Sequence, residues 1–148
     1  MKAILFFLLI IFSNCYNEQD AVEYAQKFCQ NPNSNYKVYK DDTANFISQC
    51  VIAGGESLDF CNNIDKYKSI SQYYSLLHCL TNSLGWNFSS FRPSSFKAGH
   101  LIAIEETKFI GIVTEVNKDT IRYCSHTTEK NICDDILNTD AKILYYYK

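Results

Sequence analysis

Asp42-Thr43-Ala44-Asn45-Phe46-Ile47-Ser48-Gln49-Cys50, followed by Ala53-Gly54-Gly55, is the stretch on which the fold turns. Three N-cap candidates, Asp41, Asp42 and Thr43, open it. Short oxygen-bearing side chains can accept from the free amides of a first helical turn. Phe46, Ile47, Cys50 and Val51 then recur at helical spacing, and Gly54-Gly55 supplies the stop. The pattern predicts a helix whose apolar stripe packs against a second layer.

On its N-terminal side, Asn17 is placed to cap an earlier helix, with Glu18 and Asp20 at the positive end of the dipole. Ala21, Ala25, Phe28 and Cys29 share one face, and the Asn-Pro-Asn-Ser-Asn run at 31–35 ends it. On its C-terminal side, Ser69-x-x-Gln72 reads as a capping box for a third helix. Ile70, Tyr73, Tyr74, Leu77, Leu80 and Leu84 would form its buried face, and Gly85 would end it. The period then changes. Leu101–Glu105, Phe109–Val116, Thr120–Ser125 and Ile143–Tyr147 are short runs rich in Ile, Val and Tyr, the first three joined by turn-like segments at 106–108 and 117–119. Helices followed by an antiparallel meander predict an α+β fold, with the helices on one face of a small sheet.

The 148 residues carry 14 Lys and Arg against 16 Asp and Glu, a net charge of −2. Residues 3–12 are unbroken apolar after Lys2, with the small residues Ser13 and Cys15 behind them. This is the pattern of a secretory leader, residues 1–15, and leaves one domain at 16–148. Losing Lys2 would change the charge to 13 − 16 = −3. No run reaches the roughly 20 apolar residues of a membrane span. A mildly acidic chain without basic clusters argues against a nucleic-acid partner. Beyond the leader stand Cys29, Cys50, Cys61, Cys79, Cys124 and Cys133. An even number in an exported chain predicts three disulfides, with 15 connectivities open. Cys124–Cys133 would close a short loop and is the favoured pair. No Cys-x-x-Cys occurs and His78, His100 and His126 are scattered, so neither a metal nor a cofactor is expected. Asn87-Phe88-Ser89 is a glycosylation acceptor in a stretch read as a polar loop.

The stretch 42–50 with Ala53-Gly54-Gly55 resembles the amidase-like domain of the papain-like, NlpC/P60-related cysteine hydrolases. Ala21-Val22-x-Tyr24-Ala25 upstream is similar to the family's first helix. Gly99-His100-Leu101-Ile102, Gly111-Ile112-Val113-Thr114 and Ser125-His126-Thr127-Thr128 are similar to its strand motifs, in the same order. The resemblance implies a papain-like fold. It also implies a Cys nucleophile at the helix start, where free amides and the dipole favour a thiolate, and a His on the sheet as base. This chain has Thr43 at the nucleophile position, Phe109 at the histidine position, and His100 where an Asp usually follows the glycine. An alcohol facing a ring that cannot take a proton lacks activation, so papain-type chemistry should lose most of its rate.

Each candidate has a structural reading beside the functional one. Thr43 reads as an N-cap rather than a nucleophile. Cys50, on the apolar stripe, reads as core or disulfide. His126 stands between a ligand contact at the cleft rim and a loop histidine tethered beside Cys124. His100 reads as a strand-edge residue, His78 as structural, and Asn45 and Gln49 as packed residues or polar partners within a cleft. Tyr145-Tyr146-Tyr147 reads as a closing strand rather than a sugar-stacking strip.

The expected function is a secreted, disulfide-stabilised pseudoenzyme that keeps the groove between the second helix and the sheet for binding. Its partner would be an extracellular peptide, glycan or protein. The alternative is an active amidase or peptidase with Thr43 or a free Cys as nucleophile and His126 or His100 as base. A self-associating structural component is a third class, and a proteolysis inhibitor has no feature of its own in the sequence.

Overall fold

The computed structural model describes residues 15–148. The expected leader, except Cys15, lies outside them. Among the described residues, three helices come first: α1 (Glu18–Phe28), α2 (Thr43–Ala53) and α3 (Tyr73–His78), the last running on as a π-helical turn, Cys79–Ser83. Six strands follow: β1 (Asn87–Ser89), β2 (Leu101–Ile104), β3 (Phe109–Val116), β4 (Ile121–His126), β5 (Asn131–Ile136) and β6 (Leu144–Tyr147). They form one sheet in the order β1-β6-β2-β3-β4-β5, antiparallel throughout. The protein is therefore α+β, with β2 to β5 a meander. β6 returns to pair with β2, and β1 lies outside it.

The side chains of the sheet alternate between two cores, as the period of two requires. Leu101, Ala103, Ile110, Ile112, Cys124 and Tyr146 face the helices. Ile102, Val113, Ile121, Tyr123 and Ile132 face the other way, under Phe96 and the half-buried Leu137 and Ile143. Both faces are thus covered, which is why β2 and most of β3 read as continuous apolar runs.

α1 is capped as its sequence predicts: the Asn17 side chain accepts from the amides of Gln19 and Asp20 at 3.0 and 3.2 Å. α2 is the central element, and every residue from Thr43 to Val51 is buried. Its polar residues each bond a different segment. Asn45 donates to the carbonyl of Lys37 and accepts from the Ser69 hydroxyl at 2.6 Å. The Ser48 hydroxyl accepts from the amide of Ile70 at 3.1 Å. Gln49 accepts from the Tyr24 hydroxyl at 2.8 Å. The Asn-Phe-Ile-Ser-Gln motif is thus the hub that ties α1 and two loops to one helix.

Gly54 ends α2 for a second reason. A Cβ there would stand 2.3 Å from Cε2 of Tyr16, whose buried ring packs edge-on to Trp86. Tyr16 donates its hydroxyl to the carbonyl of Gly99 at 2.7 Å. Gly99 has φ +86, and a Cβ on it would meet Glu18 at 2.2 Å. The glycines of two motifs therefore make room for the chain segment that enters α1.

Three expectations change. α3 starts at Tyr73 rather than at the Ser69 box, because the Ser69 hydroxyl is bonded to Asn45 and Asp65 and cannot cap. Asn87 lies in an edge strand, not in a loop. Cys29 pairs with Cys133 and Cys61 with Cys79, at Cα separations of 5.5 and 5.2 Å, while Cys50 and Cys124 are buried thiols. The favoured Cys124–Cys133 pair is excluded because β5 turns Cys133 toward the end of α1.

Candidate functional site

α2 starts at Thr43, and its cap is unusual. Asp42 is the N-cap residue, yet its side chain makes no capping bond; Thr43 is the first helical residue, not the cap. The Asp42 carboxylate is held elsewhere. One oxygen accepts from the amide of Tyr39 and from Asn45, both at 2.8 Å. The other lies 2.9 Å from Nδ1 of His126. Nε2 of His126 lies 3.1 Å from the carbonyl oxygens of both Phe28 and Cys29. Each ring nitrogen therefore faces an acceptor, and both bonds are made when both nitrogens carry protons. The ring also stacks on Phe46 at 3.9 Å, and only 2% of the residue is exposed. His126 is neither a loop residue nor a rim contact. It joins the end of α1, the start of α2 and the end of β4.

A cleft of about 390 Å³ opens at the start of α2, a size suited to a small ligand. Thr43 and Phe109 both line it, so the two positions meet the same space. Thr43 donates its hydroxyl to Asp41 at 2.7 Å. Phe109 packs edge-on to Tyr123, with ring centroids 5.5 Å apart. Gly111 beneath them permits this: a Cβ there would lie 3.0 Å from Tyr123 and 3.2 Å from Phe109. The floor is apolar, with Ile104, Ile132 and Leu137. The rim carries threonines, Lys108 and Lys130 of one sign, and Asp41 and Glu129 of the other. Tyr123, Glu129 and Lys130 were not legible as site residues, since only the sheet brings them beside α2.

Asn45, Gln49, His100 and His126 do not line this cleft. The first two belong to the α2 network. His100 is buried under Phe96, its Nδ1 accepting from the amide of Lys97 at 3.3 Å. Its Nε2 has no hydrogen-bond partner among the described residues and lies 3.9 Å from the Glu18 carboxylate. Burial lowers its pKa to about 4, although Glu18 pulls the other way. Burial pushes the Cys50 thiol well above its ordinary value, with Cys124 adding to the effect, and pushes Cys124 to about 11. Neither is poised as a thiolate. Among the described residues, no group of three or more His, Cys, Asp or Glu is placed to hold a metal.

This helix start, with a sheet-borne position opposite it across a cleft, carries the motifs of a hydrolase domain. The profile of the putative amidase domain matches residues 15–132, and the chain belongs to that family. It is similar to the uncharacterized protein YhbB of Bacillus subtilis (strain 168), with 50% identity over 40 residues, 27% of this chain and 13% of that protein. It is also similar to the uncharacterized protein YjcM of the same organism, with 50% identity over 40 residues, 26% of this chain and 10% of that protein. The match therefore spans a small part of each relative's length. No solved structure matches the chain.

Proposed function

We propose that this protein is a secreted, disulfide-stabilised pseudoenzyme of papain-like, NlpC/P60-related ancestry that binds a peptide- or glycan-type ligand in its cleft. One observation carries the reading: Thr43 and Phe109, at the family's nucleophile and base positions, face the same intact cleft. The cleft is kept while the dyad is gone. The histidines offer no substitute, since His126 is engaged by Asp42 and two carbonyls, and His100 bonds Lys97. Two disulfides, and the lack of a helix long and apolar enough to span a membrane among the described residues, are compatible with an extracellular protein.

The Thr43–Asp41 hydrogen bond favours a second reading, an active amidase with an alcohol nucleophile. Carboxylates are in general far weaker bases than an alkoxide, so this pair alone is poor activation.

Binding and turnover separate the two. Purified protein titrated with cell-wall peptides and oligosaccharides should give saturable heat or NMR shifts without hydrolysis. Thr107→Trp, on the exposed rim, should weaken that binding. Thr43→Cys with Phe109→His should create a reactive cleft thiol that the parent lacks. Hydrolysis by the parent, abolished in Thr43→Ala, would refute the pseudoenzyme reading.

A further inference from the structure

We propose that Asn87 is an N-glycosylation site and that its glycan shields the open edge of the sheet; the proposal rests on the secretion reading. The two edges of the sheet differ. At β5 the register slips between Tyr123 and Ser125 opposite it, and Asp134 takes a φ of 50, which bends the strand and spoils it as a template. β1 is three residues long and its register with β6 runs without a bulge. It pairs with β6 on one side, and its other side carries no backbone hydrogen bond among the described residues. Phe88 and, just beyond β1, Phe91 are 60% and 82% exposed. An unpaired strand edge beside exposed rings invites pairing with a second copy.

The acceptor sequence lies on this edge. Asn87 is exposed, and its carboxamide makes no hydrogen bond among the described residues. Ser89 accepts from the amide of Phe91 at 3.0 Å, which leaves its hydroxyl proton free to donate. Phe88 turns toward Tyr146, so Asn87 and Ser89 share the opposite face. Tyr147 stands directly across from Asn87, where its half-buried ring can receive the first sugar. In the reaction, Nδ2 of Asn87 displaces the pyrophosphate of a lipid-pyrophosphate-linked oligosaccharide. A C–N bond forms at the anomeric carbon, the C–O bond to pyrophosphate breaks, and the amide proton passes to the transferase's base. The bulky, solvated glycan then covers the strand edge.

The full chain would be expressed in a eukaryotic secretory host and its intact mass measured before and after digestion with peptide N-glycosidase. The expected product is released into the medium heavier than the polypeptide, and digestion removes the excess and leaves aspartate at position 87. Asn87→Gln and Ser89→Ala should each lose the glycan, and Ser89→Thr should keep it. Release as bare polypeptide overturns this proposal alone; retention in the cytosol overturns it together with secretion. The glycan-free variants should associate, by light scattering, at several-fold lower concentration than the glycosylated protein. Equal association would overturn the shielding role, and a rim variant such as Thr107→Trp should not affect it.

Discussion

Thr43 and Phe109 line one cleft, and on the proposed reading these two residues remove a reaction and leave its architecture. A thiol at the start of α2 would face free amides, whereas an alcohol there finds Asp41 at 2.7 Å. The aromatic ring at 109 packs on Tyr123, with Gly111 leaving the space. The more consequential residue pair is Asp42–His126. Removing one partner of this buried, hydrogen-bonded pair leaves the other with an unmade bond, at a cost of about 1–3 kcal/mol. Urea unfolding of His126→Ala and Asp42→Asn should therefore show losses of this order. If His126 were only a rim contact, His126→Ala would leave the midpoint unchanged and affect ligand binding alone.

Among the elements, α2 has a start and a stop that are both decided by neighbours. Its cap carboxylate is recruited by β4, and its terminal glycine is overlain by Tyr16. Gly54→Ala is helix-compatible in isolation, but the added methyl would overlap the Tyr16 ring. The expected outcome is a loss of about 1–3 kcal/mol, as for overpacking, together with a changed near-ultraviolet signal from Tyr16 and Trp86. Truncating Tyr16 in the same chain should recover part of that loss. α3 makes the same point in another way: the Ser-x-x-Gln box is present, but its serine is bonded to the α2 hub, and the helix waits until Tyr73.

At the scale of the whole molecule, the two disulfides close very different loops, 104 and 18 residues apart. Cys29–Cys133 ties α1 to β5, nearly the two ends of the domain. Cys29→Ser should cost more stability than Cys61→Ser, by roughly 1–2 kcal/mol in the loop-entropy account. Alkylation of the chain from Tyr16 onward should label no thiol in the folded state and two, Cys50 and Cys124, after unfolding without reductant. His100 gives the domain an acid sensitivity. Its folded pKa of about 4 lies below its unfolded value near 6.5, so the unfolded chain binds the proton first as pH falls. Stability should drop between about pH 6.5 and 4, by up to about 3 kcal/mol, and level off below. His100→Gln should flatten that part of the profile.

The sequence by itself determined the α+β class, the capped first helix, the central helix and four of the six strands. These rest on local spacing of apolar residues and on turn chemistry, which act over a few positions. It also singled out Thr43 and Phe109, through a motif read in order, and both line the cleft. Tertiary structure alone decided what those motif residues touch. Asp42 and His126 are 84 positions apart, and Asn45, Gln49 and His100 became packed partners rather than cleft residues. It also decided the cysteine pairing and placed Asn87 on a bare strand edge. The physical reason is that one helix buried on all sides must bond its polar groups to whatever segments the fold brings to it, and no periodicity in the chain records which those are.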